Sequence, residues 1–160
     1  MSEETKPDLS AFMPEGWEGK LPPCMIQVDV EGRMSHDGAP MVHPGIIELI
    51  YESVYYEDGL YFLKVGQQRC QLEVADTFHV IQRAWFDDDG VMIHVSDGSQ
   101  ERLDPATLRL GDEGVLYCAI KNGAFPARFL RQAYYQLTER LVEDGDGYAI
   151  EIAGRRWRLA

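Results

Sequence analysis

The feature that most constrains this chain is an internal echo. Tyr61-Phe-Leu-Lys-Val-Gly-Gln-Gln-Arg-Cys-Gln-Leu72 lies over Tyr148-Ala-Ile-Glu-Ile-Ala-Gly-Arg-Arg-Trp-Arg-Leu159 at a constant offset of 87 residues. Tyr61 then meets Tyr148, Leu63 meets Ile150, Val65 meets Ile152, Arg69 meets Arg156 and Leu72 meets Leu159. A tight turn interrupts both copies at the same point, and an acidic glycine turn precedes each: Glu57-Asp58-Gly59 and Asp144-Gly145-Asp146-Gly147. Before each turn comes a stretch that opens on a proline and carries a Tyr-Tyr pair, read here as a helix. Repetition of strand, helix and antiparallel hairpin predicts an α+β fold of two small subdomains packed together. The expected division is an extended or disordered tail over 1–22, a first repeat over 23–78, and a second over 79–160 that gains an extra hairpin.

The elements follow from periodicity. Ile26, Val28 and Val30 alternate with Gln27 and Asp29, the mark of a short strand. Ile46, Ile47, Ile50 and Val54 recur at helical spacing after Pro44, so a helix is expected up to Glu57-Asp58-Gly59. Hairpins are expected at Leu60–Val65 with Arg69–Ala75, and at His79–Phe86 with Val91–Ser96 around Asp87-Asp88-Asp89-Gly90. If Phe86 pairs with Val91, one face carries Val80, Ala84, Phe86, Val91, Ile93 and Val95. The other then carries His79, Ile81, Arg83, Trp85, Met92 and His94, with Arg83 across from His94. A brief strand at Thr107–Leu110, a strand at Val115–Lys121, a long helix at Pro126–Glu143 and two closing strands complete the expectation.

Charge excludes whole classes of partner. Fifteen Lys and Arg stand against 27 Asp and Glu, a formal charge of −12. That is the wrong sign for a nucleic-acid polymer or an anionic membrane surface, though a local basic patch still suits one small anion. No apolar run approaches the ~20 residues of a membrane-spanning helix. Cys24, Cys70 and Cys118 are scattered and belong to no C-x-x-C pair, which reads as buried free thiols in a reducing, cytoplasmic compartment.

No self-sufficient catalytic motif is present. The acidic turns lack the fixed ligand spacing of a calcium loop and read as turn chemistry. His36, His43, His79 and His94 show no zinc spacing, and Ser35 beside His36 does not make a triad. Nothing calls for a cofactor. The arginines are more telling: Arg128, Arg131, Arg140, Arg155, Arg156 and Arg158 all fall at the C-terminal end of an acidic chain. Their planar forks suit carboxylate or phosphate, and equally suit ion pairs with the acidic surplus.

Several loose motifs give a resemblance. Glu31-Gly32-Arg33-Met34-Ser35-His36-Asp37-Gly38-Ala39-Pro40-Met41-Val42-His43 is similar to D-G-x-W-x-x-x-G-x-P-I-x-R, with Met34 in place of Trp and His43 in place of Arg. Val74-Ala75-Asp76-Thr77-Phe78 resembles V-E-D-x-P-F. Leu116 to Gly123, continuing through Ala127, Arg131, Tyr134-Tyr135 and Leu137, resembles P-Y-x-x-V-R-x-G-L-x-A-x-x-x-R-x-x-Y-Y-x-L. Together they resemble the uncharacterised bacterial domain-of-unknown-function family numbered twelve-eighty-five. The resemblance implies a duplicated α+β core with a superficially pleckstrin-homology-like second half. It also implies a nucleotide-like ligand between the halves and a part in signal transduction.

The function expected is therefore a non-enzymatic module binding a small anion between the repeats. Its contacts would be His43 at the head of the first helix, Arg83 and Trp85 on the hairpin, Lys121 after the strand, and Arg131 on the long helix. Lys and Arg would meet phosphate or carboxylate and Trp85 would stack on the ligand. The alternatives are a protein-interaction or dimerisation adaptor, its exposed Trp and Met residues covering a partner or a second copy of the chain, and a metal-assisted hydrolase built on the acidic turns.

Overall fold

The computed structural model describes residues 23–159. The tail expected over 1–22 lies outside the described residues. The architecture is α+β, with three sheets and two α-helices among the described residues. The chain divides into two compact units between Asp76 and Thr77.

The first unit is one six-stranded sheet and one helix. Strand β1 (Pro23–Val28) turns into β2 (Met34–His36) and β3 (Ala39–Pro40), and helix α1 (Pro44–Ser53) leads to β4 (Val54–Glu57), β5 (Leu60–Val65) and β6 (Gln68–Val74). The order across the sheet is β3-β2-β1-β6-β5-β4. Its one parallel pair is β1 with β6; the other neighbours run antiparallel. Ile26, Val28, Ile50, Leu63, Cys70 and Leu72 are buried.

Helix α1 stops at Ser53, short of the Glu57-Asp58-Gly59 turn expected to end it. Val54, Tyr55 and Tyr56 are better strand than helix formers, and the hairpin offers each a partner. Val54 pairs with Leu63, and the rings of Tyr55–Phe62 and Tyr56–Tyr61 lie 5.4 and 4.8 Å apart. Cross-strand ring pairs of this kind outweigh one more helical turn.

The three-free-thiol expectation is overturned in this unit. Cys24 on β1 and Cys70 on β6 form a disulfide, their Cα atoms 5.1 Å apart across 46 residues of sequence. Parallel strand neighbours bring the two Cβ vectors together, which sequence spacing does not reveal. The pairing also removes the ground on which the sequence placed the chain in a reducing compartment.

The second unit carries two sheets. Strands β7 (His79–Asp87), β8 (Gly90–Val95), β9 (Gln100–Arg102), β10 (Arg109–Leu110), β11 (Leu116–Ile120) and β12 (Phe125–Phe129) form a sheet in the order β10-β11-β12-β7-β8-β9. Helix α2 (Arg131–Thr138) is followed by β13 (Leu141–Asp144), β14 (Gly147–Ile152) and β15 (Arg155–Arg158), a separate antiparallel sheet.

The long helix expected over Pro126–Glu143 is thus strand, short helix and strand. Phe125, Ala127 and Phe129 are buried with period two, and that alternation sits β12 between β11 and β7. Pro126 is tolerated because it pairs with Ala119 of β11 before the parallel pairing with β7 begins at Ala127. The β7–β8 hairpin has the expected register, Phe86 opposite Val91 and Arg83 opposite His94. A bulge between Ile81 and Arg83 is the departure: it pairs Ile81 with Val95 and so places it on the core face.

The offset seen in the sequence also holds in the backbone. β4 and β5 begin and end 87 residues before β13 and β14, and β6 begins 87 before β15. Val54 opposite Leu63 corresponds to Leu141 opposite Ile150, and Leu63 opposite Cys70 to Ile150 opposite Trp157. Even the helix caps correspond, His43 to Leu130.

Candidate functional site

A groove of about 840 Å³ lies within the first unit. Its apolar lining comes from Val28 on β1, Met34 on β2, Leu60 and Tyr61 on β5, and Leu72 and Val74 on β6. Val28 stands opposite Met34 of β2 and Val74 of β6, so the three lie side by side in the lining. The polar lining is Gln27, Asp29, Arg33, Ser35, Gln71, Glu73 and Asp76.

The polar groups are ordered before any ligand arrives. Gln27 Nε2 donates to Glu73 Oε2 at 3.0 Å, across the parallel β1–β6 pair. Asp29 organises the β1–β2 turn: one carboxylate oxygen accepts from the backbone N–H of Glu31 and of Arg33, each at 2.9 Å. Arg33, the one cation of the lining among the described residues, pairs with Glu31 and with Asp29 at 3.5 Å. Asp29, Glu73 and Asp76 therefore leave the groove with a negative excess. It is a cradle for an apolar body with a cationic or donor-rich end, and a poor one for phosphate.

None of the five residues expected to bind an anion lines this groove. His43 caps α1, its Nδ1 accepting from Ile46 N–H at 3.2 Å, so the imidazole is engaged by its own helix. The other four belong to the second unit. Arg83 and Trp85 project from the exposed face of β7, Trp85 with 39% of its surface accessible, opposite His94 and Met92 of β8. Arg131 is exposed in the first turn of α2, whose preceding Leu130 N–H donates to Ile81 O at 2.9 Å.

Lys121 stands apart from the other three. It occupies a left-handed turn, φ +54°, between β11 and β12. Its Nζ meets Asp97 Oδ2 at 2.8 Å and Ser99 Oγ at 3.5 Å, while its backbone N–H donates to Glu101. A lysine so engaged is a structural cation, and its charge is already answered. Burial alone would push the Asp97 carboxyl up, but hydrogen bonds from Lys121 and Ser99 outweigh it and hold the group at about 2.

His79 is buried beside this cluster, its ring 5.0 Å from that of Phe78 and 4.5 Å from that of Phe125. Desolvation pushes its pKa down to about 4, with Asp97 opposing and Lys121 assisting. The imidazole is neutral at pH 7. Cys118 is the free cysteine of the described residues, buried in β11, and burial pushes its thiol up to about 12.

The acidic runs do turn chemistry. Asp87 accepts from Asp89 N–H at 2.9 Å and holds Arg102 through two hydrogen bonds of 2.8 and 3.0 Å. Among the described residues no three His, Cys, Asp or Glu side chains gather as a metal would need.

The groove was hard to see in the sequence because its walls come from five strands scattered from residue 27 to residue 76. One signal pointed at it. Arg33, Met34, Ser35 and Pro40 all lie in the Glu31–His43 motif that carried the family resemblance.

The fold bears that resemblance out. A DUF1285 family protein from Silicibacter pomeroyi superposes with a TM-score of 0.72 at 14% identity, covering 94% of this chain and 91% of that one. A DUF1285 family protein from Shewanella baltica gives 0.61 at 16% identity, covering 72% of this chain and 91% of that one. The chain has the DUF1285 fold. No protein-family profile matches the sequence, and no curated protein matches it. Among the described residues, no helix is long and apolar enough to cross a membrane.

Proposed function

We propose that this chain is a non-enzymatic ligand-binding module with a regulatory or signal-transducing role, and that the groove of the first unit is its site. The observation that carries this reading is the meeting of the Glu31–His43 motif with an ordered, 840 Å³ groove. The volume falls in the range of pockets for drug-sized molecules, and an apolar lining with a few oriented polar groups is the usual build of such a site. The carboxylates select a ligand with an apolar body and a protonated amine or guanidinium end, in place of the anion expected from the sequence. The equal offsets of the strand pairs support descent of β4–β6 and β13–β15 from one duplicated hairpin unit.

Isothermal titration with a cationic amphiphile, such as decyltrimethylammonium below its micelle concentration, tests the reading against decyl sulfate and adenosine monophosphate. The cation is expected to bind, and Glu73→Lys to weaken it about tenfold, the equivalent of about 1.4 kcal/mol. Tighter binding of either anion, or no change in Glu73→Lys, would sink the assignment.

A further inference from the structure

The two hairpin sheets differ at one edge. On β6 that edge is filled: β1 lies along it in parallel, with Gln27 beside Glu73 and Val28 beside Val74, and the Cys24–Cys70 bridge fastens the two. On β15, the strand at the same position in the second copy, the inner edge pairs with β14 and no strand of the described residues occupies the outer one. An open edge presents backbone N–H and C=O groups as a template for another strand. We infer that the outer edge of β15 is a docking strand for an extended, acidic segment of another protein.

The side chains set the chemistry of the occupant. Three of the four residues of β15 are arginines, and Arg155, Arg156 and Arg158 are all exposed. None of the three closes an ion pair with a carboxylate of the described residues, although the chain carries 27 acids. Glu151 stands directly across from Arg156 on β14 and still does not reach it. Trp157 is half-buried, with the Arg155 guanidinium stacked over its ring at 4.2 Å. The stacking holds one of the three guanidiniums in place on the cationic edge.

Positive charge along an edge ordinarily guards against strand addition. Here it guards selectively. A second copy of β15 would set arginine against arginine, so the edge rejects itself. A strand with acidic residues at alternate positions gains backbone hydrogen bonds and charge pairing together, the pattern of β-augmentation. The β1–β6 pair supplies the internal precedent for a parallel neighbour at this position. Its own residues there, Gln27 and Val28, carry no positive charge.

Fluorescence anisotropy on the full chain tests this with three labelled eight-residue peptides. One alternates glutamate with valine, the second is the same peptide N-methylated at alternate residues, and the third replaces glutamate by lysine. The first is expected to bind saturably and to slow amide exchange across residues 155–158. N-methylation should weaken it at least tenfold, and the lysine peptide should not bind. A double variant, Arg155→Glu with Arg158→Glu, should lose at least tenfold while its circular dichroism and urea midpoint stay unchanged. Equal binding of the N-methylated peptide would show ionic contact without strand pairing and overturn the inference. So would protection by the peptide elsewhere than β15, the absence of binding at millimolar peptide, or light scattering that shows β15 already covered in a dimer.

Discussion

Hairpin β4–β5–β6 and hairpin β13–β14–β15 share a hydrogen-bonded frame and differ in what they bury. Tyr61 on β5 is 5% exposed, whereas Tyr148, its counterpart on β14, is 42% exposed. Phe62 and Leu63 are buried beside Tyr61, so β5 is covered on both faces. On β14 Ala149, Ile150 and Ile152 are buried while Tyr148 and Glu151 are exposed. The outer strands diverge further: β6 carries buried Cys70 and Leu72 against β1, and β15 carries three exposed arginines. One backbone register accommodates very different side chains, because the pleat fixes only which face each residue meets. The outer edge is a core seam in β4–β6 and a charged border in β13–β15.

The largest way to break this comparison is to remove the seam. Reducing the Cys24–Cys70 bridge, or Cys70→Ala, should cost about 4 kcal/mol for a closed loop of this length. The loss should appear in amide exchange of β1 and β6 and leave β13–β15 untouched. Urea unfolding with and without reductant measures it, and equal midpoints would remove the seam from the account.

Next come the two central aliphatics at the same register. Leu63→Ala and Ile150→Ala each delete a fully buried side chain and should each cost about 3 kcal/mol. Similar losses would sharpen the equivalence of the two hairpin sheets. A near-neutral Ile150→Ala would mean β13–β15 has no comparable core at that position.

Acid should act on the second unit first. The folded-state pKa of His79 lies near 4, below its ordinary 6.5, so the fold favours the neutral ring. Its stabilising contribution is complete above about pH 6.5 and is lost as pH falls toward 4, about 3 kcal/mol in all. The Asp97 contribution survives that window and is lost only below the ordinary carboxylate value of 3.8, toward 2. Thermal melts from pH 7 to 4 should flatten in His79→Leu, and an unchanged slope would exclude His79 as the group.

The smallest effect lies at the helix caps. His43 gives α1 a side-chain cap, and Leu130 gives α2 none. His43→Leu should lose about 1 kcal/mol, and Leu130→Ser should gain up to that amount. If His43→Leu is neutral in denaturation, the 3.2 Å bond to Ile46 N–H contributes nothing.

The frame was legible in the sequence because strand alternation and turn glycines are local. Leu60–Val65, the Arg83–His94 pairing and the closing strands all follow from period two. The long helix misled because Phe125 to Leu141 satisfies two periods at once; the parallel slot beside β7 decided it, and that is a tertiary fact. The disulfide, the bulge at Ile81 and the groove each depend on strands far apart in sequence. Lys121 and His43 were expected to contact a ligand; in the structure Lys121 Nζ meets Asp97 and His43 Nδ1 accepts from Ile46 N–H. Residue type alone does not tell a structural cation from a waiting one.

Bridging of two of the three cysteines makes the remaining one a natural clock. Cys118 stays protonated in the core of β11, so alkylating reagents reach it only when that sheet comes apart. The rate of thiol labelling in the unaltered chain therefore counts openings of the second unit, with no engineered reporter and no signal from the first.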